Sequence, residues 1–320
     1  MRRLILACLA VFGLAFAQPQ TLTLYTSEVL TNVNPMIELF KQVNPNVNVQ
    51  VFRSGTGEVI TRLRAELEAN NPQADLLWVA DETFFRELAA ANRLRPVRAT
   101  TPGFPVKFAY QGGRFYEVRL LYNGIAINTR KLGNLPEPRA WRDLLKPEYR
   151  DLVGMPNPNF SGAALSTLGT FSQRFGFGFF EQLQRNGLKV EQSNPILQQK
   201  LAEGQYGIAI ITDFGIRDLI RQGAPLKVIY PRDGAILVPT PIGILSNSRN
   251  PALAERFIQF LLSPEAQALF AQQGYVPVIA SAPRPAGVSG EVLSVPSAAE
   301  FIQANRQSLL TQFNALFNLR

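Results

Sequence analysis

The sequence predicts an α/β protein of two lobes, on three observations. Strand-like alternation and helix-period apolar stripes take turns through the first hundred residues. A long apolar strand over 120–128 has Gly124 in its middle, as suits a segment crossing between lobes. An apolar stretch with proline and glycine, 239–245, is placed to cross back.

Residues 21–25 alternate as a strand, 35–43 read as a helix and 47–52 alternate again. Val59, Ile60, Leu63 and Leu67 put one apolar stripe on a helix over 58–69; 74–79 is a short strand of buried type, and 82–91 a helix. Alternation at this interval predicts a largely parallel sheet. Past 128 the pattern gives a strand at 152–155, helices at 165–175 and 194–202, a strand at 207–211, a helix at 214–221 and a strand at 226–230. Near the C-terminus Asn250 caps a helix with Pro251 in its first turn. Ser263 caps the next before Pro264 and Glu265, and Gly274 is placed to end it. A first lobe of 18–122 and 240–320 with a second, 123–239, inserted into it is expected, hinged near 122–124 and 239–243.

Met1-Arg-Arg, an apolar run over 4–16 and Ala15-Phe16-Ala17 describe a secretory leader, too short for a membrane span of about 20 residues. Residues 1–17 are the expected signal peptide. Cys8, the only cysteine, loosely imitates a lipidation site. Cleavage after Ala17 leaves an exported chain without disulfide or thiol ligand. Charged residues are 18% and hydrophobic ones 46%, a globular composition. The net charge of +8 is scattered, with no basic run or nucleic-acid motif, so with export it excludes a nucleic-acid partner.

Three segments stand out: Trp141-Arg-Asp-Leu-Leu-Lys-Pro-Glu-Tyr-Arg-Asp151, Met155-Pro-Asn-Pro-Asn-Phe-Ser-Gly162, and the capped helix pair closing on Gly274-Tyr-Val-Pro277. Together with 51–75 they resemble the type II periplasmic solute-binding proteins of ABC importers, in the cluster handling ferric iron, thiamine, phosphonates and sugar phosphates. The resemblance covers essentially the whole exported chain. It implies two lobes, each a mostly parallel sheet flanked by helices, with a ligand cleft between them. It also implies a monomer, without cofactor, that delivers a small solute to the transmembrane subunits of a permease from the periplasm or cell exterior.

Ser54-Gly55-Thr56-Gly57 follows a strand and opens the helix that begins near Glu58; Ser161-Gly162 repeats the device in the second lobe. Free N–H groups at a helix start, hydroxyls and glycine suit an anion, and two such starts from opposite lobes would grip one phosphate-like group. As simple caps, Ser54, Thr56 and Ser161 need no ligand. Ser27, Asp81 and Asn123, with Tyr25, fall at strand ends facing the cleft, whereas Trp78 lies inside a strand as core.

The resemblance also sets an iron test. Iron-binding relatives use two adjacent tyrosines after the strand that corresponds to 207–211, where this chain has Asp213-Phe214, and it contains no histidine. Glu28, Glu58 and Asp213 remain as an oxygen set for a hard cation. Alternatively Asp213 meets an ammonium or sugar hydroxyls while the helix starts hold a phosphate, or it merely caps its helix; Phe214 stacks on the ligand or packs in the core. A phosphorylated or phosphonate-like organic anion is the expected ligand, ahead of ferric iron and of a thiamine-type cation. A Ser-His-Asp enzyme is excluded without histidine, and no Walker loop, zinc spacing or nucleophile elbow is present. Only a carboxylate acid–base pair is left to an enzyme.

Overall fold

The computed structural model describes residues 20–98 and 101–319; the expected leader, with Cys8 and Ala17, lies outside the described residues. The chain opens with β1 (Gln20–Thr26), α1 (Leu30–Val43), β2 (Val47–Arg53), α2 (Thr56–Glu68), β3 (Leu76–Trp78) and α3 (Glu82–Ala90). β1 lies between β2 and β3, parallel to both. Short strands β4 (Leu94–Arg95), β5 (Ala109–Tyr110) and β6 (Phe115–Tyr116) complete this edge. α1 starts five residues before Pro35, where the pattern placed it. Pro35 sits within the helix, its ring nitrogen giving up only the hydrogen bond to Thr31.

The chain then leaves the first sheet, and β7 (Arg119–Asn128) forms the middle of the second. After α4 (Thr129–Leu132) and two 3-10 turns at Trp141–Leu145 and Pro147–Tyr149 come β8 (Val153–Pro156), α5 (Gly162–Phe175), α6 (Gly178–Arg185), β9 (Lys189–Glu191) and α7 (Asn194–Ala202). β10 (Ile208–Thr212), α8 (Asp213–Arg221), β11 (Leu226–Ile229) and β12 (Ala235–Val238) finish this part. The chain returns through β13 (Ile242–Leu245), α9 (Pro251–Leu261), α10 (Pro264–Gln272) and β14 (Val276–Pro277), and closes with β15 (Ser294–Pro296) and α11 (Ala299–Phe317).

Both sheets are mixed rather than largely parallel. β7 runs antiparallel to β10, β11 and β12, and β13 antiparallel to β3, because the crossing strands enter each sheet against its βα units. The return crossing expected over 239–245 leads from the end of β12 into β13. β12 belongs to the second sheet and β13 to the first, and between them Pro239 and Pro241 have no N–H to extend a ladder.

The C-terminal residues expected in the first lobe go elsewhere. β15 pairs parallel with β12, and Ile302, Leu309 and Phe313 of α11 enter the second core beside Leu168, Phe171 and Phe180. α11 covers α5, whose residues from Gly162 to Ser172 are all buried. A helix so enclosed needs cover on every face, and α11 supplies the last.

The C-terminal helix pair is held by buried polar bonds. Asn250 does not cap α9 with its side chain; its Nδ2 donates to the Thr21 carbonyl at 2.7 Å instead. Ser263 caps α10 as expected, accepting from Ala266 N–H at 3.3 Å. Gln267, fully buried, donates to the carbonyls of Val118 and Leu261 and accepts from the N–H groups of Val278 and Ile279. Leucine at 267 leaves those four backbone groups without partners, so stability should fall by about 3 kcal/mol. A urea titration reads this as a lower midpoint at unchanged slope; an unchanged midpoint would show that the four groups find other partners.

Candidate functional site

Between the lobes lies a cleft of about 260 Å³. Five helices begin on it: α1 after Val29, α2 after Gly55, α5 after Ser161, α7 after Ser193 and α8 after Thr212, and each of these residues lines the cavity. The first N–H groups of a helix have no intrahelical partner, and each helix start bears roughly half a positive charge. Arg53, at the end of β2, lines the same space. The cleft thus gathers backbone donors and positive partial charge, with the carboxylates of Glu28 and Glu58 in its lining as well.

Of the residues singled out in the sequence, Ser27, Ser54, Gly55, Thr56, Glu58, Ser161, Gly162 and Phe214 line the cleft, and so does Glu28. Gly57, Asp81, Asn123 and Asp213 do not. Asp81 caps α3, accepting from Phe84 N–H at 3.2 Å, and pairs with Arg306 of α11 at 2.5 Å. Asn123 turns its amide onto the Ala163 carbonyl and Thr167 Oγ1, at 2.7 and 2.8 Å. Tyr25 donates to Glu66 at 2.6 Å on the far side of β1.

Asp213, expected to meet the ligand or cap a helix, is buried behind the cleft. It accepts from Tyr122 N–H at 3.1 Å, Tyr230 at 2.7 Å and Arg217 at 2.5 Å. Burial raises its pKa, against the pull of Arg217. Glu58 takes the hydroxyl proton of Ser54 and the Gly55 N–H, closing the start of its own helix. Glu28 pairs with Arg119 and accepts from Tyr275 at 3.2 Å. The three carboxylates of the iron reading thus serve three separate sets of partners. Among the described residues no group of three His, Cys, Asp or Glu side chains is placed to hold a metal ion.

The two serines differ in what they offer. Ser54 spends its proton on Glu58. Ser161 accepts from Ala164 N–H at 3.2 Å and shares a 2.8 Å hydrogen bond with the Asn194 amide. Asn194 is the donor, so the Ser161 hydroxyl proton is not spent on it, and Asn194 Oδ1 is buried without a partner. The Ser161 hydroxyl is thus a spare donor beside helix starts α5 and α7, whose first turns contain no acid. The first turn of α2 already holds Glu58. The starts of α5 and α7 on the second lobe's wall are thus less neutralised by side-chain carboxylates than the start of α2. Asn194, Gln192, Ser193, Thr212, Thr240 and Arg53 were not picked out from the sequence. Ser193-Asn194-Pro195 is a helix-start signal that would have found the third N-terminus.

The glycines serve contact between lobes. A Cβ on Gly57 would overlap the Asn159 carbonyl oxygen, one on Gly55 would come within 2.9 Å of the Phe160 carbonyl oxygen, and one on Gly162 would overlap the carbonyl oxygen of Ala80. Under the floor, Glu117 accepts from Thr240 N–H at 3.1 Å, and its other oxygen is buried without a partner. Burial pushes its pKa up to about 8.

Residues 71–304 match the family described as bacterial extracellular solute-binding protein. A periplasmic protein of Salmonella typhimurium, provisionally named as binding 2-aminoethylphosphonate, is 25% identical over 283 residues, 82% of this chain and 80% of that one. The chain superimposes with a TM-score of 0.82 on AfuA, a periplasmic binding protein of Actinobacillus pleuropneumoniae with bound fructose-6-phosphate, at 22% identity over 94% of this chain and 99% of that one. Against iron-bound HitA of Pseudomonas aeruginosa the TM-score is 0.80, at 19% identity over 92% and 99%. The fold is that of the type II periplasmic binding proteins.

Gly162→Ala should hold the lobes apart: the radius of gyration from solution scattering rises above wild type while helix content stays the same. Equal radii would show that Ala80 yields to the methyl group. Glu117→Gln tests the buried acid. Between the ordinary glutamate pKa near 4.3 and about 8, the native state retains a proton that the unfolded chain has lost, so stability falls as pH rises. Glutamine still accepts from Thr240. The variant should show a shallower loss of stability from pH 5 to 8 in urea titrations, and parallel profiles would refute the raised pKa.

Proposed function

The chain belongs to the bacterial extracellular solute-binding proteins, and on that premise we propose that it captures a phosphorylated or phosphonate-like organic anion for an ABC importer. Exported by a leader cut after Ala17, it works as a monomer, closes around the solute and hands it unchanged to the permease, without catalysis. One observation supports the ligand class above the others: five helix starts converge on one cleft, and its two lining carboxylates are already engaged by Arg119 and by Ser54 with Gly55. The phosphate or phosphonate group sits at the starts of α5 and α7, where Ser161, Asn194 and free N–H groups face it. Arg53 approaches from the other lobe.

Ferric iron with a synergistic anion is the second reading, favoured by the likeness to iron-bound HitA. It lacks the tyrosine pair, and Phe214 offers no ligating oxygen. Thiamine or another organic cation would meet helix starts of the wrong sign.

A thermal-shift panel on protein stripped of carried ligand by unfolding and refolding tests this. A ligand at 100 times its dissociation constant stabilises by about 2.7 kcal/mol, a rise of several degrees. We expect the rise with 2-aminoethylphosphonate or a hexose 6-phosphate, and a roughly tenfold weaker affinity in Arg53→Gln from loss of a charged hydrogen bond. A rise with ferric citrate alone would overturn the anion reading.

A further inference from the structure

The anion accounts for one wall of the cleft and leaves its floor unexplained. Thr212 ends β10 and precedes α8, yet its side chain does not cap that helix. It is 3% exposed, its Oγ1 has no hydrogen-bond partner, and it lines the cleft. A buried hydroxyl without a partner bears an uncompensated desolvation cost, which makes such groups uncommon. The nearby groups that might have satisfied it have other commitments. Asp213 is taken by Tyr122, Tyr230 and Arg217. Thr240 Oγ1 accepts from Arg119 at 3.1 Å.

We infer that Thr212 is a specificity-determining residue that binds a polar substituent on the ligand's carbon body, apart from the anionic group held at Ser161 and Asn194. This rests on the anion reading of the cleft. Glu28 lines the same cavity with a carboxylate that Arg119 engages at Oε2, so a substituent that donates, a hydroxyl or an ammonium, matches both neighbours. Phe214, the residue after Asp213, lies stacked on Tyr275 at 4.2 Å between ring centroids and gives the carbon body an apolar face. The preferred solute is thus bifunctional: a phosphate or phosphonate at one end and a hydrogen-bond donor at the other.

Thr212→Val keeps the shape and removes the hydroxyl. Calorimetric titration of wild type and variant would use inorganic phosphate, methylphosphonate, 2-aminoethylphosphonate and a hexose 6-phosphate. The expected result is a ten- to hundredfold loss for whichever of the last two the wild type prefers, with the first two unchanged. Which of the two loses tells ammonium from hydroxyl. The unliganded variant should melt no lower than wild type, and Thr212→Ser should restore the preference. Equal loss on all four probes would place Thr212 on the anion and overturn the inference, as would no loss on any. A wild type that binds none of the four would sink the anion reading, and the inference with it.

Discussion

Arg119 is the group around which the cleft is organised. It is 1% exposed, paired with Glu28, and stacked between the rings of Trp78 and Tyr275 at 4.7 and 4.0 Å. Burial alone would lower its pKa, but the charge of Glu28 more than offsets this and holds it above the ordinary value. A buried ion pair of this kind adds little net stability, because desolvation consumes most of the Coulomb gain. Its effect is positional. Through Glu28 it fixes the start of α1, through Thr240 the return crossing, and through Tyr275 the ring on which Phe214 of the second lobe rests. Each of Glu28, Thr240 and Phe214 lines the cleft.

That arrangement decides the polarity of the two walls. In the first lobe Glu28 faces its own cation, and Glu58 closes the start of α2, so negative charge already sits where an anion would have to approach. In the second lobe α5 and α7 begin without acids, and Ser161 with Asn194 has a donor to spare. The helix starts of α5 and α7 are therefore less neutralised than that of α2. Glycines at 55, 57 and 162 let the lobes meet backbone to backbone beside the cleft.

Much of the fold was legible because its elements announce themselves locally. β1, β2, α3 and α7 follow period and capping signals that do not depend on distant residues, and Ser161 caps α5 as its sequence position implies. What failed was what tertiary structure decides. Strand direction in the mixed sheets is set by where β7 and β13 cross, and α11 takes its place from the exposed face of α5. Among site residues, Ser54 and Ser161 look alike in sequence. They differ because Glu58 stands four residues after Ser54, while nothing acidic follows Ser161 and Asn194 reaches it from another helix. Asp213 was misplaced for the same reason: Arg217, one turn on, and Tyr230 draw it inward.

Position 213–214 departs from the tyrosine pair that the resemblance to iron-binding proteins would place here. In the resemblance to iron-binding relatives two phenolates occupy this step after the strand. Here the first residue is a carboxylate turned into the protein, and the second is a phenyl ring on Tyr275. β10 and α8 are regular around them: the helix starts on Thr212 and buries Ile216. Substitutions at this step therefore alter which atoms face the cleft while the backbone dipoles stay fixed. On the proposed anion reading, the helix starts would hold the charged group, and the side chains at the floor, Thr212, Phe214 and Glu28, would select what it is attached to.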